Sequence, residues 1–391
     1  MFSSRTNWPL APNRLSVLLR ERRECGLPIL DLTESNPTRC GFALDVEEIL
    51  APLQNPRALA YEPDPRGLRV AREAVAEYYS GRGVQLDPDQ IFLTASTSEA
   101  YSFVFRLLAN PGDKILAPQP SYPLLDFLGA LNDVDVAPYT LVYHDGWQVD
   151  LEALAAQWNS RARAVLVVHP NNPTGSYIRN CELGRMVEIC RPNGAAIIAD
   201  EVFADYGYGA GAERVVTHAQ DSEALTFTLS GLSKISALPQ MKLGWIVVNG
   251  PPELRSQAQA RLDVIADTYL SVSAPVALAA PAWLAHRHAI QSQIMKRVQA
   301  NLRKLDELLT PCLPVSRLRV EGGWYAILRV PSTRSDEDWA AELLTQEGVS
   351  LHPGHFYDFP SAGFLVLSLL PPAEVFADAL RRAISRISAQ S

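Results

Sequence analysis

None of the five cysteines, Cys25, Cys40, Cys181, Cys190 and Cys312, stands in a CxxC pair, and their number is odd. That pattern excludes a disulfide framework and a zinc ribbon, and reads as ordinary core or near-surface thiols. A basic stripe is missing as well: 35 Lys and Arg lie scattered among 43 Asp and Glu, for a net charge of −8. Nothing in the sequence can neutralise a phosphate backbone or an anionic bilayer, so neither nucleic acid nor membrane is an expected partner. Long apolar runs are also absent. The first 23 residues mix Arg, Asn, Pro and Trp instead of forming a signal peptide, and no later run reaches transmembrane length. A soluble, cytoplasmic protein is expected. There is no internal repeat and no low-complexity linker.

What is present is a chain of 391 residues, 47% hydrophobic, enough to fill one large domain with a smaller one attached. A helical stretch at 14–24 and an apolar run at 29–32 lead into the polar turn Glu34-Ser35-Asn36-Pro37, which reads as an N-terminal arm. From about residue 46 to 250, helical patterns alternate with apolar runs at 90–94, 114–117, 164–168, 195–199, 225–229 and 243–248. All-apolar strands between helices imply an α/β fold with a mostly parallel sheet covered on both faces. A long helical pattern at 286–309 then connects to a unit of different rhythm. Its strands are expected at 323–330, 349–352 and 364–369 and its helices at 337–346 and 373–387, a small α+β domain. The expected division is 1–45 for the arm and part of the small domain, 46–285 for the large domain, and 286–391 for the connecting helix and the rest of the small domain.

Four of the apolar runs end in polar residues, and ligands of open α/β sheets sit outside the carboxyl ends of the strands. Ser96, Thr97 and Ser98 follow the first, where backbone N–H groups and hydroxyls at a helix start suit a phosphate; a plain N-cap with Glu99 in the first turn is the alternative. His169-Pro170-Asn171-Asn172-Pro173-Thr174-Gly175 follows another, either a rigid amide-bearing loop or a simple chain reversal. Asp200-Glu201 places a carboxylate at the end of a buried strand, as a helix cap or as an anion awaiting a cation. Lys234 follows a small-residue turn; it is either a solvated charge or a Schiff-base nucleophile with a lowered pKa.

The series Tyr61-x5-Gly67, Ser96-Thr97-Ser98, Pro120-Ser121-Tyr122-Pro123, Asn171-Asn172-Pro173-Thr174-Gly175, Asp200-Glu201-Val202-Phe203 and Ser230-Gly231-Leu232-Ser233-Lys234 resembles, in order and spacing, the class I/II aminotransferases. These are fold-type I enzymes dependent on pyridoxal 5'-phosphate (PLP). The resemblance spans nearly the whole chain. It implies a large domain with a mostly parallel, seven-stranded-type sheet, a small domain built from both chain ends, and PLP in the cleft between them. Lys234 and Asp200 would be catalytic, Lys234 as Schiff-base lysine and proton shuttle and Asp200 as partner of the pyridine nitrogen. Asn172 would bond the ring hydroxyl and Tyr122 would stack on the ring. Ser96 and Thr97, joined by Ser98, would cradle the phosphate, and Ser230 or Ser233 could add a hydroxyl. A tyrosine at the place of Tyr61 reaches the phosphate of the neighbouring subunit in this family, so a homodimer is implied. The implied reaction moves an amino group from an amino donor to a 2-oxo acid; PLP-dependent β-elimination, decarboxylation, or a ligand-sensing domain without catalysis are the alternatives. The sensor reading is disfavoured because Lys234 and Asp200 are retained and the family pattern begins close to Met1.

Three positions depart from the family pattern. Phe203 stands where a tyrosine usually bonds the ring oxygen. Lys242 replaces a phosphate-binding arginine and supplies charge without a bidentate fork. Val366 aligns with the arginine that clamps the substrate carboxylate, which leaves three possibilities: Arg39, Arg66 or Lys242 takes over that role, the substrate lacks the carboxylate, or the alignment is shifted. His352 and His355 have no further ligands nearby and make a poor metal pair, so no metal is expected. His169 is expected to pack beside the cofactor loop, and Trp324-Tyr325 to face the substrate or form a core aromatic pair.

Overall fold

The apolar runs between helical segments form the interior of one eight-stranded sheet. The computed structural model describes all residues except Ala210, Ala212, Asp221 and Ser391. The chain begins with α1 (Arg14–Glu24), β1 (Leu30–Asp31), α2 (Val46–Leu50) and α3 (Arg69–Ser80). The large domain continues through β2 (Ile91–Thr94), α4 (Thr97–Leu108), β3 (Lys114–Gln119), α5 (Leu124–Leu131), β4 (Asp135–Tyr143), β5 (Trp147–Val149), α6 (Leu151–Gln157) and β6 (Ala162–Val168). It ends with α7 (Asn180–Cys190), β7 (Ala196–Asp200), β8 (Thr226–Gly231), α8 (Leu232–Ile235), β9 (Gly244–Asn249), α9 (Pro252–Tyr269) and α10 (Ala274–Ala285). Then follow α11 (Arg287–Leu308), β10 (Ser316–Arg317), β11 (Tyr325–Arg329), α12 (Asp336–Glu342), β12 (Val349–Ser350), β13 (His352–Pro353), β14 (Phe364–Ser368) and α13 (Ala373–Ala389).

The large sheet runs in the order β2-β9-β8-β7-β6-β3-β4-β5. From β8 to β4 every pairing is parallel; β9 is antiparallel to both neighbours, and β5 to β4. Every residue of β7, β8 and β9 is buried, as expected of strands covered by helices on both faces. The sheet has eight strands, one more than the expected seven-stranded type: the six apolar runs form six of them, and residues 135–149 add the two of the hairpin β4–β5. Exposed and buried positions alternate along β4, so it has no all-apolar run by which to recognise it.

In the small domain, β10-β11-β14-β13 form an antiparallel sheet. The N-terminal arm joins it: β1 pairs in parallel with β12, and Ser368 N–H donates to Leu32 O at 2.7 Å. The helix expected at 337–346 stops at Glu342 and finishes as a π-helical turn, Leu343–Glu347, before Gly348 in the left-handed region. Among the described residues no helix is long and apolar enough to cross a membrane.

Candidate active site

Strands β6, β7 and β8 are adjacent and parallel, so the loops after Val168, Asp200 and Gly231 leave the same edge of the sheet. Because β9 is antiparallel to both β2 and β8, β2 also points to that edge and brings Ser96 there. The approach is close. A Cβ on Gly244 would lie 3.0 Å from the Ser96 carbonyl carbon and 3.1 Å from Thr94 Oγ1 and Ser230 O, so a side chain there would press these segments apart by a few tenths of an ångström.

Lys234 sits on the short helix α8, with its carbonyl held by Tyr206 Oη at 2.7 Å. Its Nζ lies 5.0 Å from the centre of the Trp324 ring and 5.5 Å from that of Phe203. Burial lowers the ammonium to about 8 against the opposing pull of Asp200, which makes the neutral, nucleophilic amine accessible near neutral pH. The Asp200 carboxylate is buried, with Tyr101 Oη donating to Oδ2 at 2.8 Å and Val202 N–H to Oδ1 at 3.0 Å. Burial raises it to about 6 although both hydrogen bonds act the other way. The charge of Lys234 acts on it, though among the described residues no salt bridge joins it to a cation.

The loop after β6 is fixed by Asn171, whose Nδ2 donates to Pro120 O at 3.0 Å and Thr174 Oγ1 at 2.9 Å. Its neighbour Asn172 is buried, and among the described residues nothing bonds its Oδ1. Tyr122 keeps 46% of its surface exposed beside this loop. At the other end of the cluster, Ser96 caps α4, its Oγ accepting from Glu99 N–H at 3.2 Å, while the Glu99 carboxylate takes Ala95 N–H at 2.8 Å and Ser271 Oγ at 2.6 Å. The capping reading of this turn is thus observed.

The sequence matches the family model "Aminotransferase class I and II" over residues 35–383. The chain belongs to that family. It is 29% identical over 374 residues to the glutamate-pyruvate aminotransferase AlaA of Haemophilus influenzae, covering 93% of this chain and 91% of that one. Against the alanine aminotransferase of Mycobacterium tuberculosis the identity is 28%, over 91% and 85% of the two chains. The fold superposes on an Escherichia coli aminotransferase with a TM-score of 0.87 at 26% identity, covering 99% and 98%. An alanine aminotransferase of Pyrococcus furiosus gives 0.88 at 24% identity over the full length of both. The enzyme therefore has the fold-type I architecture and carries out PLP-dependent transfer of an amino group between an amino acid and a 2-oxo acid.

Four residues of this aminotransferase escaped the sequence reading. Tyr101 lies one turn into α4, Tyr206 six residues past Asp200, Ser271 beyond α9, and Gln291 on α11. Only Tyr101 had a usable signal: it is a polar-tipped residue one turn after a helix start at a strand end. Trp324, read as either substrate-facing or core, is fully buried yet lies against Lys234. His169 is more than packing: Ile178 N–H donates to its Nδ1 at 3.1 Å and its Nε2 donates to Val215 O at 2.8 Å. Burial and the neighbouring His218 keep it neutral, at about 3. Ser230 is committed to Glu201 O at 3.4 Å. Glu201 accepts Thr217 Oγ1 at 2.7 Å and His218 N–H at 2.5 Å. Burial would raise its carboxyl, but the His218 bond and the charge of Arg82 hold it down at about 2.

The departures also resolve in part. Val366 is wholly buried in β14, opposite Ile327 on one side and His352 on the other, and belongs to the apolar core. Arg66 is withdrawn from the possible carboxylate anchors: Asp263 takes it at 2.6 and 2.7 Å, and it stacks on Phe92. Lys242 is exposed in a left-handed turn two residues before Gly244. Arg39 is exposed on the 3-10 turn Pro37–Arg39, just after Glu34 and Ser35. Tyr61 stands apart from the Lys234 cluster of its own chain, 79% exposed, at a cavity of about 210 Å³ shared with Leu93, Phe103 and Leu270. Among the described residues no group of His, Cys, Asp and Glu could hold a metal.

Proposed function

We propose that PLP binds at the strand ends around Lys234 and that this cluster carries out both half-reactions of transamination. One observation carries this reading: a buried Asp200 carboxylate with two hydrogen-bond donors and, among the described residues, no salt-bridge partner, beside a lysine of lowered pKa and an asparagine with an unmet polar atom. A pyridinium N–H would satisfy Asp200, and the ring hydroxyl would satisfy Asn172. Tyr122 offers a ring face for stacking. Ser96, Thr97 and the N-terminus of α4 would take the phosphate, with Lys242 adding charge without a fork.

Bound there, PLP would supply an aldehyde within reach of Lys234 and an electron sink for the pair released at the substrate α-carbon. As a free amine, Lys234 Nζ would take the α-proton and deliver it to the cofactor carbon. Asp200 would hold the ring nitrogen protonated. Phe203 and Trp324 exclude water from Nζ and keep it from straying.

The working unit proposed is a cytoplasmic homodimer, in which Tyr61 of the partner subunit completes the phosphate end. Support comes from Leu59, Tyr61, Val264 and Tyr269, large apolar side chains left exposed in one protomer. Glutamate with pyruvate, and alanine with the 2-oxo acid of glutamate, are the first substrate pairs to try, because relatives are named for them. Borohydride reduction of the PLP-loaded protein, followed by peptide mapping, should place the reduced cofactor on Lys234. Trapping at another lysine, or no visible absorption after adding PLP, would overturn the reading.

A further inference from the structure

Gln291 is 8% exposed on α11, the helix that joins the large domain to the small one. Its Nε2 donates to Ile235 O, one residue past Lys234, at 2.9 Å, and to Asp205 Oδ2 at 2.7 Å. Asp205 is held in turn by Tyr78 Oη at 3.0 Å and faces Arg82 at 3.5 Å. The next residue, Tyr206, donates to Lys234 O. Two successive carbonyls of the lysine turn are thus gripped by side chains, and both grips lead to the segment 205–206.

The same helix reaches across to the far wall of the cleft. Asn301 Nδ2 donates to Leu369 O and Pro371 O, each at 2.9 Å, just beyond β14. Arg297 donates to Leu370 O at 3.1 Å. Gln293 exchanges two hydrogen bonds with the backbone of Ala43, at 3.0 and 2.9 Å, in the arm that carries Glu34 and Ser35. From 291 to 301 the helix advances about 15 Å, so it acts as a rigid spacer between the lysine turn and the wall opposite. Apolar packing alone would let these segments slide; buried amides with two acceptors each do not, because a shift leaves a carbonyl unpaired.

We propose that Gln291 is a positioning residue for Lys234, fixing the lysine turn to the helix that also carries the small-domain wall. The lysine amine then meets the reacting carbon at one set position. This inference rests on the reading of Lys234 as the cofactor lysine.

The test is Gln291→Met in the full-length, PLP-loaded protein, a change that keeps length and volume and removes both donor hydrogens. The expected result is a fall in kcat of about tenfold with KM and the PLP dissociation constant within about twofold. The pH titration of the visible absorption of the Lys234-linked cofactor should shift as well. Tyr206→Phe, which releases the adjacent carbonyl, should move kcat and the titration in the same direction, and it decides the matter if Gln291→Met does not fold. Wild-type kcat and titration in the folded variants would overturn the inference, as would a loss of melting temperature without change in either. Borohydride trapping separates the two levels: a label on a lysine other than Lys234 removes the underlying reading and this inference with it. A label on Lys234 with unaffected variants removes this inference alone.

Discussion

Tyr101 Oη donates to Asp200 Oδ2 at 2.8 Å, so the carboxylate at the end of β7 is held by a helix launched from β2. A hydrogen bond to the charged form favours it. Tyr101→Phe should therefore raise the Asp200 carboxyl further and weaken PLP binding about tenfold, the order expected for one bond to a charged group. Absorbance titration of the cofactor-free protein with PLP measures this. Unchanged affinity would mean that Asp200 does not face the ring nitrogen.

Burial raises Asp200 from its ordinary value of 3.8 to about 6. Between those values the cofactor-free folded protein keeps a proton that the unfolded chain has released, so this group's contribution to stability is lost as pH rises through the window. Asp200→Asn should remove that loss. Without PLP the variant should be more stable than its parent above pH 6, by on the order of 2–3 kcal/mol, and the gap should close toward pH 4. Urea midpoints across pH 4–7 give the answer; a parent that gains on the variant as pH rises would contradict it.

Glu201 has the opposite sign, held near 2 by His218 and Arg82 despite burial. Glu201→Gln leaves His218 and Thr217 facing a group that cannot match their donors, and should cost about 3 kcal/mol of stability at neutral pH. Thermal unfolding should show the loss, and it should shrink toward pH 2, where Glu201 is itself protonated.

Phe203 is buried against Trp324 and Tyr325, with Lys234 Nζ above its ring. A hydroxyl added there can bond the ring oxygen of PLP and favour its ionised form. Phe203→Tyr should thus lower the pH midpoint of the visible absorption change. A titration that superposes on the wild type would show that residue 203 does not reach the ring.

Arg39 and Arg66 should behave differently. Arg66 is bound bidentately to Asp263, and Arg66→Ala should lower stability by about 1 kcal/mol with little change in KM. Arg39 is the exposed guanidinium at the arm turn. Arg39→Ala should raise KM for α-amino acids about tenfold with smaller effect on kcat, and leave KM for the decarboxylated amines unchanged, if Arg39 anchors the carboxylate. Equal effects on both substrate classes would exclude it.

Much of the architecture was legible because buried parallel strands carry a local mark, an unbroken apolar run with polar residues at its end. Strands β6, β7 and β8 fall within a residue or two of where that mark puts them. The hairpin β4–β5 was not legible, since one face is open and its pattern is that of an ordinary half-buried segment. The order of strands, which sets Ser96 beside Ser230 and Gly244, is decided by pairing between segments far apart in the chain.

By itself, the sequence determined the chemistry on offer: Lys234, Asp200, Asn172 and Ser96, each at a strand end, in a pattern that identifies the family. Only the tertiary structure decided how those groups are held. Tyr101 reaches Asp200 across 99 positions of chain, Gln291 reaches the lysine turn across 56, and Arg66 is drawn off by Asp263 across 197. A strand end is a local property that apolar patterning writes into consecutive residues. A buried hydrogen bond between distant segments depends on how helices settle on the sheet, and no local pattern records it.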